Sequence, residues 1–228
     1  MTQPHQHPVW DSFIRGYHWL QAMTIGGLWY TGTEGLMDWH FSLAYFLLAL
    51  LATRLIWGVI GSETAQFRHF IRSPKIAIQY LFATIRGNAN DDSTSSPGHN
   101  PAGAYMVIAF MLLLITQLST GLFASDDIIS EGPFAYLVSG ETSSFLTEIH
   151  AINFNIILGA ICIHLAAITL YFLRKDNLIT PMLTGKKEVA GDTLPKVVNG
   201  ILAWAIFIII GTVIYFTLAQ DVVAYLFS

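Results

Sequence analysis

The sequence predicts an all-α integral membrane protein, a four-helix transmembrane bundle with a fifth transmembrane helix added. Three observations carry this reading. Of 228 residues, 54% are hydrophobic and only 11% are charged, where a soluble domain carries about 25% charged residues. Mean hydropathy is +0.54. Five apolar stretches, about 13–31, 39–60, 103–124, 145–173 and 197–219, have the length to cross a bilayer, which takes roughly 20 residues of helix. The length suits one bundle, so residues 1–228 read as a single transmembrane domain.

Taken in order, residues 1–11 read as a short polar tail without the pattern of a cleavable signal peptide. The first helix is therefore expected to remain as an anchor. It carries His18, and the loop GTEGLMD follows it. The second span opens at Trp39 and His40 and ends near Ile60. A polar connection, 61–102, then contains PKIAIQYLFATIR at 74–86. That segment is too short to cross and reads as an interfacial helix. The turn-rich GNANDDSTSSPGHNP comes next. The third span has no histidine. The acidic loop SDDIISEGPFAYLVSGET leads to the fourth span, which holds both His150 and His164. The fifth span again has no histidine. The lone cysteine, Cys162, excludes an internal disulfide, a CxxC zinc pattern and a CxxCH haem attachment.

Charge sets the orientation, because lysine and arginine concentrate in cytoplasmic loops. With the N-terminus inside, all eleven Lys and Arg fall on the inner side, from Arg15 and Arg54 to Lys196. Five spans then leave the C-terminus outside. The outer loops carry Glu34, Asp38, Asp126, Asp127, Glu131, Glu141 and Glu148, a set able to steer a basic partner. They also fit the plain reading that acidic loops are soluble and cross easily.

Orientation turns sequence position into depth. His18 lies near the inner start of its span, and His164 is about nine residues from the inner end of the fourth. His40 and His150 both open their spans on the outer side. His150 and His164 are fourteen residues apart, about 21 Å of helix rise and nearly the same face. The four histidines thus form two depth-matched pairs, His18 with His164 and His40 with His150. Ionisable groups inside membrane helices point to function. Two facing imidazoles in a helical bundle are what a b-type haem needs as axial ligands. Two bis-histidine irons about 20 Å apart would carry electrons most of the way across the membrane. Gly26, Gly27, Gly58, Gly121 and Gly159 offer room for flat macrocycles. A histidine used only in helix packing and a proton or metal relay are the rival readings; the span interiors hold no acidic partner to serve the relay. His5 and His7 read as tail residues, His69 and His99 as inner-loop residues that cap or hydrate.

Several segments together resemble a known family. VWDSFIRGYHW at 9–19, WHFSLAYFLLALLATRLIWGVIGS at 39–62, HNPAGAYMV at 99–107, TGLFASDD at 120–127, EGP at 131–133 and NLITPMLTGKK at 177–187 are similar to bacterial di-haem cytochromes b of the b561 type. The group with the greatest likeness is that labelled the cytochrome b subunit of nickel-iron hydrogenase. The resemblance covers roughly 9–187 and leaves the fifth span unassigned. It implies a protein of the bacterial inner membrane, the electron-transfer subunit of a respiratory oxidoreductase complex. Such a subunit exchanges electrons between the quinone pool and a periplasmic-side partner: a hydrogenase, another dehydrogenase or a c-type cytochrome. It carries over two haems b with His18, His164, His40 and His150 as iron ligands.

Further roles are expectations. Arg15, one helical turn from His18, suits a haem propionate; Arg54 or Arg174 could do the same. All three are also ordinary positive-inside anchors. Trp10, Asp11, Arg15 and Tyr17 at the inner edge, or Asp126 and Asp127 at the outer edge, are candidates for a quinone pocket. The alternatives are a stand-alone quinone-linked oxidoreductase acting on a small oxidant such as superoxide, a haem-free histidine-based transporter, and a structural anchor.

Overall fold

The computed structural model describes residues 6–86, 98–125, 130–188 and 194–226. A short strand, β1 (Gln6–Pro8), precedes α1 (Ser12–Thr33), α2 (Met37–Ile60), the one-turn α3 (Phe67–Phe70), α4 (Pro74–Ile85) and α5 (Pro101–Gly121). After a 3₁₀ turn at Ala135–Leu137 come α6 (Gly140–Leu173), α7 (Ile179–Thr184), a second strand β2 (Lys186–Glu188), α8 (Ile201–Ile214) and α9 (Gln220–Leu226). A π turn, Tyr215–Ala219, links α8 and α9 into one continuous helix.

Four helices are long and apolar enough to cross a membrane: Met37–Ile60, Pro101–Gly121, Gly140–Leu173 and Ile201–Leu226. They are apolar nearly all round, and Ile152, Ile156, Ile163 and Phe172 of α6 stand exposed. That is the surface of a helix solvated by lipid rather than water. α1 has the length, at 22 residues, but is not among the four. Arg15, His18, Gln21 and its threonines and glycines dilute its hydropathy. Its passage through the membrane therefore stays an expectation. α4 begins with Pro74 as its first residue, where a proline costs no hydrogen bond. It exposes Ile76, Ile78, Leu81 and Phe82.

The all-α expectation needs one amendment. β1 pairs antiparallel with β2, His7 opposite Lys187. The backbone N–H groups of Val9 and Trp10 both donate to the Gly185 carbonyl, at 2.8 and 3.1 Å. Gly185 sits at φ +80°, which only a residue without Cβ adopts easily. Residues 6–10 are therefore clasped by the segment after α7 and are not a free tail. No periodicity announces three-residue strands.

The chain divides into two compact units. The first comprises the chain up to Trp19, Thr53–Ile108 and Ala166–Ile206; the second comprises Leu20–Ala52, Ala109–Leu165 and the chain from Phe207 on. In the first unit the fully buried Val9, Phe13 and Trp57 surround Asp11. One Asp11 oxygen accepts the N–H of Ile14 at 2.9 Å, capping α1. The other accepts Trp57 Nε1 at 3.0 Å and the Ser62 hydroxyl at 2.6 Å. The second unit is packed mainly by apolar side chains such as Leu47, Leu50, Leu114 and Ile157.

Candidate functional site

The second unit encloses a cavity of about 470 Å³, within the range of small-molecule and cofactor sites. Its lining is mostly apolar, and His40 from α2 and His150 from α6 reach into it. Their ring centroids are 6.5 Å apart. Two metal–nitrogen bonds of about 2 Å each plus the half-widths of two imidazoles come to roughly that separation.

Each ring sits in a seat of the same construction. His40 Nδ1 lies 3.1 Å from the Leu28 carbonyl and 3.3 Å from the Thr31 hydroxyl. His150 Nδ1 lies 3.0 Å from the Gln117 carbonyl and 3.3 Å from the Thr120 hydroxyl. A carbonyl only accepts, so Nδ1 carries the proton in both rings. The threonine hydroxyls donate their own protons one turn back, to Gly27 and Thr116, at 2.8 Å each. Glycine follows each threonine. A Cβ on Gly32 would stand 3.2 Å from the His40 ring, and one on Gly121 2.9 Å from the His150 ring. The seats are the five-residue pieces LWYTG (28–32) and QLSTG (117–121): carbonyl, then threonine three residues on, then glycine.

Fixing Nδ1–H against a carbonyl leaves Nε2 unprotonated, the tautomer and orientation that metal-ligating histidines adopt. At His150 that nitrogen is 2.9 Å from Gln117 Nε2, whose amide donates to it. Gln117 Oε1 in turn accepts from Asn153 Nδ2 at 2.7 Å, and Asn153 also donates to the Leu113 carbonyl at 2.9 Å. The buried Asn153 thus fixes which way the Gln117 amide points.

The structure brings His40 and His150 together. His164 belongs to the same unit, with the Phe110 ring at 6.0 Å. His18 belongs to the first unit, beside the Trp19 ring at 4.9 Å. Of the glycines expected to make room, Gly121 serves a histidine. Gly27 faces Leu43 and Gly58 faces Phe67, while Gly26 and Gly159 have nothing within 4 Å. Gly32, Thr31, Thr120, Gln117 and Asn153 escaped the sequence reading. The Thr-Gly pair repeated one turn after a carbonyl was their visible signal. Asp126 and Asp127 lie outside the described residues.

In the first unit, the Asp11 carboxylate is consumed by structural donors and is not open to a quinone. Arg15 Nη1 donates to the Leu183 carbonyl at 2.7 Å, and Arg174 Nη1 to that of Thr84. His99 is not the hydrated loop residue expected. Its ring packs between Trp10 and Phe70, each at 4.6 Å. Burial, and then the nearby Arg54 charge, lower its pKa to about 3, so it is neutral at physiological pH. Among the described residues no three His, Cys, Asp or Glu gather as a metal cluster.

No curated protein and no solved structure matches the chain. The family model described as prokaryotic cytochrome b561 matches residues 9–185, a stretch that includes both seats and all four histidines. The chain therefore belongs to the prokaryotic cytochrome b561 family, membrane proteins that bind b-type haem and transfer electrons.

Proposed function

We propose that this protein is a two-haem cytochrome b of the bacterial inner membrane, passing electrons between the quinone pool and a redox partner on its outer side. The observation that carries this is the pair of matched seats around His40 and His150, with their common tautomer and 6.5 Å separation. His40 and His150 would hold one haem b. His18 and His164 would hold the other, on the strength of helix direction and depth. When bound, haem would supply a one-electron carrier, with the histidines as its iron ligands.

The chain's own residues do the rest. The carbonyls of Leu28 and Gln117 keep the Nδ1 protons in place and make the rings better donors through Nε2. Gln117 yields His150 Nε2 when the site fills and until then satisfies that buried nitrogen. Leu47, Leu114 and Ile157 exclude water, which tunes potential. Arg15 and Arg54 are the candidate partners of a propionate at the inner level.

Every Lys and Arg belongs to the first unit, and the concentration of such residues in cytoplasmic loops supports an N-terminus on the cytoplasmic side. The second unit's formal charges are all acidic, which favours a basic partner. A hydrogenase, another dehydrogenase or a c-type cytochrome are the candidates.

The test is a reduced-minus-oxidised visible spectrum of the purified protein with haem counted per chain. It is then repeated on single alanine variants of His18, His40, His150 and His164. Two haems b, with one lost in each variant, is the expected result. A folded preparation without haem would end the proposal and bring the transporter forward. One haem lost only with His18 or His164 would restrict it to the inner pair.

A further inference from the structure

The first unit buries a cation with an unpartnered terminal nitrogen. Arg54 is only 2% exposed, and its Nη1 is buried without a hydrogen-bond partner. The guanidinium lies 5.2 Å above the Phe67 ring, a contact that offsets part of the desolvation of a charge but supplies no acceptor. Asp11 acts on it through space, yet both Asp11 oxygens are taken by Ile14, Trp57 and Ser62. A second polar atom is in the same condition at the same aromatic pair: Phe67, under Arg54, packs on Phe70 at 5.8 Å, and Phe70 on His99 at 4.6 Å. His99 Nδ1 is buried without a partner, and the His99 imidazole feels the Arg54 charge. Two orphaned polar atoms in one aromatic-walled place call for a missing group. Buried charges are normally paired, and a guanidinium pairs best with a carboxylate or phosphate.

The other two arginines named for this task are differently placed. Arg15 is partly exposed and Arg174 exposed, and each has its Nη1 on a main-chain carbonyl. Water can serve the remainder of Arg174, while Arg15 Nε is itself buried without a partner. Arg54 Nη1 has neither a carbonyl nor water. It also acts electrostatically on Tyr17, the residue before His18 on α1.

We propose that Arg54, with His99 Nδ1 beside it, seats a carboxylate, and that this carboxylate is a propionate of the haem held through His18. The inference rests on the two-haem reading. Arg54 Nη1 donates to the carboxylate, and the neutral His99 ring contributes a second donor without a second charge. Arg15 then serves first as an anchor, with its Nη1 on the Leu183 carbonyl.

The test compares haem b with its dimethyl ester, which lacks both carboxylates, by Soret titration of the haem-free protein. In the wild type, the ester should bind one of the two sites at least tenfold more weakly than haem. Arg54→Gln should weaken haem at that site by a similar factor and abolish the discrimination. Arg54→Lys should keep part of it. Equal binding of haem and ester by the wild type would overturn the inference and leave the two-haem reading intact; this arm needs no variant to fold. Discrimination that survives in Arg54→Gln would also overturn it. If ester and haem bind alike but acetate raises the melting temperature of the wild type and not of Arg54→Gln, the carboxylate site stands and its ligand comes from solution. A wild type that takes up neither compound sinks both proposals together.

Discussion

The two units bury polar groups in opposite ways. The first holds every Lys and Arg of the chain and satisfies its interior through residues far apart in sequence. Asp11 reaches Trp57 and Ser62, 46 and 51 residues away, and Arg15 reaches Leu183 across 168. The second has no Lys or Arg. It satisfies its buried histidines with helix carbonyls and threonines from five-residue pieces of α1 and α5. The difference shows what each unit is built to do. A long-range network determines how loops and helix ends meet. A local seat fixes the orientation of a single ring and can be made twice from the same parts.

The contrast can be broken most severely at Asp11. Asp11→Ala leaves Trp57 Nε1, the Ser62 hydroxyl and the Ile14 N–H without their acceptor and removes a nearby countercharge from Arg54. The expected loss is about 3–5 kcal/mol, read as a large fall in melting temperature in detergent. A fall of a degree or two would mean that the network is incidental.

Next come the seat glycines. Gly121→Ala places a methyl 2.9 Å from the His150 ring, and Gly32→Ala one 3.2 Å from His40. Overpacking costs about 1–3 kcal/mol. Both variants should lose on dilution the haem proposed for His40 and His150, Gly121→Ala the faster because its contact is tighter. Unchanged haem retention in both would show that the seats do not set ring position.

The first unit should also be acid-sensitive. The His99 pKa is lowered to about 3 from 6.5, so below pH 6.5 the unfolded chain takes up a proton that the folded chain refuses. Stability is complete above pH 6.5 and declines as pH falls towards 3. His99→Gln should flatten that part of the melting-temperature profile between pH 6.5 and 4. An identical slope in the variant would remove His99 from the account.

The smallest effect is at Thr120. Its hydroxyl is 3.3 Å from His150 Nδ1, a secondary contact behind the Gln117 carbonyl. Thr120→Val should cost about 0.5–1.5 kcal/mol and broaden the haem spectrum slightly without loss of haem. Complete loss would mean that the hydroxyl, and not the carbonyl, holds the ring.

Much of this was legible in the residues. Apolar runs of bilayer length show in composition, since every lipid-facing position must be apolar. The HNP segment at 99–101 misled, because a histidine in a polar connection reads as hydrated. Trp10 and Phe70, from two other segments, pack against it. The strands β1 and β2 were hidden for a similar reason, as three residues have no periodicity. The seats were half visible. LWYTG and QLSTG repeat a pattern, but nothing local says that a histidine from another helix will settle against it.

The sequence by itself determined the long apolar helices and the segregation of charge, and it raised the expectation of histidines at paired depths. Each of these is a property of one segment in its solvent, and needs no knowledge of neighbours. Only the tertiary structure decided that His40 and His150 share one cavity with the same tautomer, that Asp11 is spent on packing, and that Arg54 is buried with its Nη1 unpartnered. Those depend on which side chains meet, and in a bundle that is set by helix rotation and close approach, information spread over the whole chain.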